Sequence, residues 1–116
     1  MIRTELTVRL PNNAGALAGV FRLLADEHVH VVAASLGAGG ELRLVVDNHV
    51  HGAGVLRERR HVVDERQVLV VEGAATPGAL RLIADADINL NYTYGGPSTF
   101  VLGVDDVLRA SAASGV

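Results

Sequence analysis

The chain has 116 residues, 49% apolar and 20% charged, a globular composition sized for one ordinary domain or two very small ones. It has no cysteine and all ten basic residues are arginine, which excludes disulfides, thiolate nucleophiles, Cys-type zinc sites, Schiff-base lysines and the Gly-x-x-x-x-Gly-Lys phosphate loop. A net charge of −3, no tryptophan, only two Tyr and two Phe, and arginines scattered except for Arg57, Arg59 and Arg60 argue against a nucleic-acid partner.

No apolar run reaches the ~18 residues of a membrane span. The start, Met1-Ile2-Arg3-Thr4-Glu5, lacks the charged and apolar regions of a signal peptide, so a soluble, cytoplasmic protein is expected. Residues 5–10 alternate, with Leu6, Val8 and Leu10 on one face, and predict a strand. Pro11-Asn12-Asn13-Ala14-Gly15 is a turn and helix start, with Asn12 or Asn13 as N-cap. Leu17, Val20, Phe21 and Leu24 then follow helical spacing, giving a helix over 14–27. Strand character resumes at Val29-His30-Val31-Val32, turns at Leu36–Gly40, and returns over Glu41–Asp47. A short helix over 50–60, weakened by Gly52 and Gly54, leads to a short strand at His61-Val62-Val63.

The same order restarts. Val68–Val71 is a β-branched strand, Thr76 can cap, and Pro77 suits the first turn of a helix over 77–86. Ile88, Leu90 and Tyr92 share a strand face, Gly95-Gly96-Pro97 turns, and Phe100-Val101-Leu102 returns. Asp105 or Asp106 caps a last helix. The two halves are a duplication. Gly15-Ala16-Leu17 matches Gly78-Ala79-Leu80 at an offset of 63, and Leu23–Asp26 matches Leu82–Asp85 at 59. The four-residue slip is about one helical turn, so the buried face survives it.

Two motifs repeat. Pro11–Leu17 is followed by Ala25-Asp26-Glu27-His28-Val29-His30-Val31; Thr76–Leu80 is followed by Ala84-Asp85-Ala86-Asp87-Ile88-Asn89-Leu90. In matching context they resemble the ACT domain, and nearly the whole chain resembles small stand-alone tandem ACT proteins. The resemblance implies an α+β fold of two tandem βαββαβ, ferredoxin-like units, with antiparallel sheets and helices on one face. It also implies a non-catalytic regulatory module that binds a small effector, an amino acid, at an interface between ACT units. The contacts it implies are Asn12, Asn13, Gly15, Ala16 and Leu17, with Thr76, Gly78, Ala79 and Leu80 in the second copy. His30, Asn89 and Asn91 stand where the second strand approaches the site. A glycine lets a ligand approach the backbone, and free N–H groups at a helix start suit a carboxylate. Each residue also has a structural reading. The glycines can serve tight turns and close packing, Asn12 and Asn13 capping, Asn89 and Asn91 an exposed sheet face, and Leu17 and Leu80 the core.

The histidines offer a second reading. A two-residue turn at Ala38-Gly39 places His28 opposite His49 and His30 opposite Asp47. With Leu42, Leu44 and Val46 facing the helices, His28, His30, Asp47 and His49 share the other face. They form a candidate zinc or nickel site, or a pH-responsive seam in an assembly protein. His51 and His61 read as exposed. No catalytic signature is present and no cofactor is implied. The chain divides into residues 1–65 and 66–116, and the second copy lacks its closing strand. A copy that short is marginal alone, so it is expected to lean on the first or on another chain, and a homodimer is expected.

Overall fold

The computed structural model describes residues 1–96 and 98–116. In chain order it has β1 (Ile2–Arg9), α1 (Ala16–Asp26), β2 (Val31–Leu36), β3 (Glu41–Val46), α2 (His49–Glu58) and β4 (Val63–Glu72). A one-turn 3-10 segment (Gly73–Ala75), α3 (Thr76–Asp85), β5 (Leu90–Gly95), β6 (Thr99–Val104) and α4 (Val107–Ser114) follow. Of the expected Gly95-Gly96-Pro97 turn, Pro97 lies outside the described residues.

The chain forms two compact units, Glu5–Arg66 and Met1–Thr4 with Gln67–Val116. In the first unit the strand order is β2-β3-β1-β4, that of a βαββαβ ferredoxin-like sheet. β1 pairs antiparallel with β3, Leu6 opposite Leu44, and β3 pairs antiparallel with β2. Leu6, Val8, Leu42, Leu44 and Val46 point to one face, where they bury with Val20 and Leu24 of α1 and Ala53 and Leu56 of α2. Alternation sends Glu5 and Val45 to the other face, yet both are buried there, with Arg43 Nε 3.8 Å from the Glu5 carboxylate.

In the second unit the order is β1-β4-β6-β5. β4 takes the first-strand place, and the start of β1 takes the place of the closing strand. Met1 and Val70 exchange main-chain hydrogen bonds of 2.9 and 2.8 Å, the mark of an antiparallel pair. Ile2 packs against that unit's core of Leu69, Val71, Ala79, Ile83, Leu102 and Ala110. So the position that the sequence leaves without a strand is filled by the chain's own first residues. The expected strands at 61–63 and 68–71 are one strand, Val63–Glu72, whose two ends belong to different units.

Three helices end alike. His28, Arg60 and Asp87 adopt left-handed φ values of 58, 68 and 57°. The N–H of the next residue reaches back to the helix, as Val29 to Leu24 at 2.8 Å, His61 to Leu56 at 3.1 Å and Ile88 to Ile83 at 3.2 Å. These are Schellman closures.

The β2–β3 hairpin is one residue longer than expected. Gly40 N–H bonds the Gly37 carbonyl at 3.0 Å and Gly37 N–H bonds Glu41 at 2.9 Å, so Ala38, Gly39 and Gly40 form a three-residue loop. Leu36 therefore faces Leu42, and a register shift between Val31 and Ala33 restores Val31 opposite Val46. Gly40 sits at φ +84°, where an added Cβ would lie 2.5 Å from the Leu10 carbonyl oxygen. Its own carbonyl accepts from Leu10 N–H at 2.7 Å, so this residue fastens the hairpin to the end of β1. Gly40→Ala meets both the left-handed backbone and the overlap. It is expected to lower the unfolding free energy by about 1–3 kcal/mol, read by urea denaturation.

Candidate functional site at the β1–α1 loop

β1 ends at Arg9, and residues 10–15 carry the chain to α1. No side chain caps α1. The residue before it, Gly15, is in the αR region, and Asn13 Oδ1 accepts from Gly15 N–H at 3.2 Å, outside the helix. Asn12 and Asn13 are thus not the expected N-cap. The first N–H groups of the helix have no intrahelical acceptor. α3 also starts without a side-chain cap: Ala75 precedes it, and Thr76 lies inside the helix with its hydroxyl donating to the Glu72 carbonyl at 3.3 Å. By contrast α2 and α4 are both capped. Asn48 Oδ1 accepts from His51 N–H at 3.1 Å, and Asp106 Oδ1 from Arg109 N–H at 3.0 Å. The two helix starts that carry the repeated Gly-Ala-Leu are the two without a side-chain cap. There the Ala16 N–H reaches the Asn13 carbonyl at 3.4 Å and the Thr76 N–H the Gly73 carbonyl, so α3 continues the 3-10 turn before it.

Beside α1 the open end adjoins a cavity of about 330 Å³ lined by Asn12, Asn13, Ala16 and Leu17 with Arg9 and the β2–β3 hairpin. A second cavity, of about 460 Å³, meets Asn13, Gly15 and Ala16 from the other side and is bounded by Arg59 and His61. All five expected contacts of the first copy therefore line one or both cavities. Neither glycine is held by packing. A Cβ at Gly15 would come no nearer than 4.0 Å to a neighbour, and one at Gly78 would meet nothing within 4 Å.

In the second copy Gly78 is exposed, while Thr76 and Ala79 are buried and Leu80 packs against the core. Asn89 and Asn91 lie past the other end of α3, about 15 Å away for ten residues of helix. They form a chain with Asp105: Asn89 Nδ2 to Asn91 Oδ1 at 3.2 Å, and Asn91 Nδ2 to Asp105 Oδ1 at 2.7 Å. His30 likewise lies past the C-terminal end of α1, about 16 Å from its start. Within a unit, these three residues are not beside the loop.

The histidine face does not assemble. His30 and Asp47 do meet, through His30 N–H to Asp47 Oδ1 at 3.1 Å and Asp47 N–H to the His30 carbonyl at 3.0 Å. But β2 begins only at Val31, which leaves His28 in the left-handed turn closing α1 and His49 as the first residue of α2. Among the described residues no group of three His, Cys, Asp or Glu is placed to hold a metal ion. His51 is exposed, as expected, with Nε2 donating to the Glu27 carbonyl at 3.1 Å. His61 is half-buried, contrary to expectation, because the closure of α2 turns it inward. Arg59 and His61 were not among the expected site residues. Their one trace in the sequence is the run of basic residues from Arg57.

No protein-family model and no curated protein matches the chain. Solved structures do. A protein of Bacteroides thetaiotaomicron superposes with a TM-score of 0.83 at 18% identity, covering 97% of this chain and 86% of that one. The ligand-free regulatory subunit of aspartate kinase from Thermus thermophilus gives 0.69 at 16% identity, covering 97% and 89%. E. coli aspartokinase III in complex with lysine and aspartate gives 0.62 at 18% identity, covering 97% of this chain and 30% of that one. At these identities the likeness defines the fold. It is ACT-domain-like: tandem ferredoxin-like units, as the repeated motifs imply.

Proposed function

We propose that the chain is a non-catalytic regulatory module that binds a small amino acid at the β1–α1 loop. The observation that carries this reading is the uncapped start of α1 beside a lined cavity. The donors there suit an α-carboxylate, Asn12 and Asn13 offer side-chain amides, and Ala16 and Leu17 supply an apolar wall. The E. coli structure that shares this fold is a complex with lysine and aspartate, which supports a ligand of this class. The Gly-Ala-Leu start of α3 is the equivalent site in the second unit. No helix among the described residues is long and apolar enough to cross a membrane. A cytoplasmic location fits the absence of cysteine.

The module acts as a homodimer paired through β2. This strand stands at the end of its unit's order and exposes Val32, Ala34 and Leu36. It has none of the charges or prolines that guard an edge from pairing.

Two measurements test these readings. Unfolding entropy of roughly 2.1 cal/mol/K per residue makes each 1 kcal/mol worth about 4 °C in 116 residues. An amino acid at 100 times its Kd adds about 2.7 kcal/mol, or about 11 °C. A thermal-shift screen of the amino acids should find such a ligand. Gly15→Val and Gly78→Val, whose Cβ atoms have room, should fold normally and together abolish the shift. A screen in which no amino acid moves the midpoint refutes the reading. For the dimer, light scattering should show twice the chain mass, and Ala34→Lys should halve it. A monomeric wild type would count against pairing through β2.

A further inference from the structure

The turn between α2 and β4 has the same closure as those ending α1 and α3, but different chemistry. In the other two, the residue after the left-handed position is Val29 or Ile88, each buried in its unit's core. A hydrophobic residue there is what this closure ordinarily uses. After α2 the same place holds His61, half-buried, preceded by Arg59 and by Arg60 in the left-handed conformation. Glycine would relieve that conformation; arginine keeps a side chain that the turn itself does not need.

These side chains border the cavities at the end of β1. His61 and Arg59 line the cavity of about 460 Å³ that also meets Gly15 and Ala16. A further cavity of about 560 Å³, on the sheet side, is lined by His61, Arg60 and Arg9 but also by the carboxylates of Glu41 and Asp64. The neighbouring charges are largely spoken for. Arg57 bonds Glu65 at 3.1 Å and the Val63 carbonyl at 3.0 Å, and Glu41 bonds Arg43 at 3.1 Å. Arg9 gives one donor to the Gly39 carbonyl at 2.8 Å and has others left. Among the described residues the side chains of Arg59, Arg60, His61 and Asp64 make no hydrogen bond or ion pair.

We infer that Arg59 and His61 of the α2–β4 turn form an anion-recognition wall, and that the ligand of the β1–α1 loop is an acidic amino acid whose side-chain carboxylate meets it. The inference rests on the amino-acid reading of that loop. Guanidinium groups bind carboxylates through paired, charge-assisted hydrogen bonds, and an amide of the same shape cannot reproduce them. Cations at a helix C-terminus also favour the helix dipole. A purely dipolar role predicts that removing them lowers stability and leaves ligand preference unchanged.

Calorimetric titration of the full chain separates these accounts. L-aspartate and L-glutamate are compared with L-asparagine and L-glutamine at physiological ionic strength. One acid is expected to bind about tenfold tighter than its amide, equivalent to about 1.4 kcal/mol. In the double variant Arg59→Gln, Arg60→Gln, both exposed positions, that ratio should fall to about one, with the amide Kd and the unliganded melting midpoint unchanged. Arg60→Gly, which relieves the left-handed backbone and removes no side chain from the loop cavity, should raise the midpoint and leave the acid-to-amide ratio unchanged. Equal binding of acid and amide by the wild type, or a ratio that survives the double variant, overturns the wall while leaving the loop site standing. Failure of all four probes to bind defeats this inference and, if the full screen is also negative, the loop reading with it.

Discussion

Two strands are too long for the units they build, and the architecture follows from that. β2, β3, β5 and β6 have six residues each, whereas β1 has eight and β4 has ten. A strand advances about 3.3 Å per residue, so β4 runs about 33 Å. Each long strand serves as first strand in one unit and closing strand in the other. The side chains agree with this use. Along β1, Ile2 packs against one core while Leu6 and Val8 lie in the other. Along β4, Val63 belongs to the first core and Leu69 and Val71 to the second. The core positions share parity within each strand, Ile2, Leu6 and Val8 along β1 and Val63, Leu69 and Val71 along β4. A duplicated fold can thus be completed with one strand fewer in the second copy.

The same arrangement fixes the candidate site. With its start paired to β4 and its middle to β3, β1 delivers Arg9 and Leu10 to a defined place. Gly40 then clamps the hairpin to Leu10, and the chain passes through Asn12 and Asn13 into a helix with no side-chain cap. A capped helix would satisfy its own donors, as α2 and α4 do. An open one beside a cavity leaves them for a ligand. The α2–β4 turn stands on the far side of that opening and supplies charge where the other two closures supply packing.

Much of this was legible in the residues. The period-two and helical patterns locate every helix, and every strand but β4, to within a few positions. The paired Gly-Ala-Leu motifs identify the repeat and single out the helix starts that lack a side-chain cap. What could not be read was which strands neighbour which. Asp64-Glu65-Arg66-Gln67 looks like a polar break between strands at 61–63 and 68–71, yet these residues are strand, since alternation specifies faces and not partners. The metal face failed on two local features, a helix closure that holds His28 out of the strand and the start of α2 at His49. His61 was read as exposed because nothing in a single sequence shows that α2 closes with the same turn as α1 and α3.

Hydrogen exchange reads the sharing of β1 and β4 between the two units. Amide protection should be compared peptide by peptide between the full chain and one lacking residues 2–4. If β1 closes the second unit, the deletion should cut protection about tenfold or more across residues 68–72 and 99–104, and leave residues 42–46 close to their original protection. Unchanged protection at 68–72 and 99–104, or an equal loss in both units, would contradict the account.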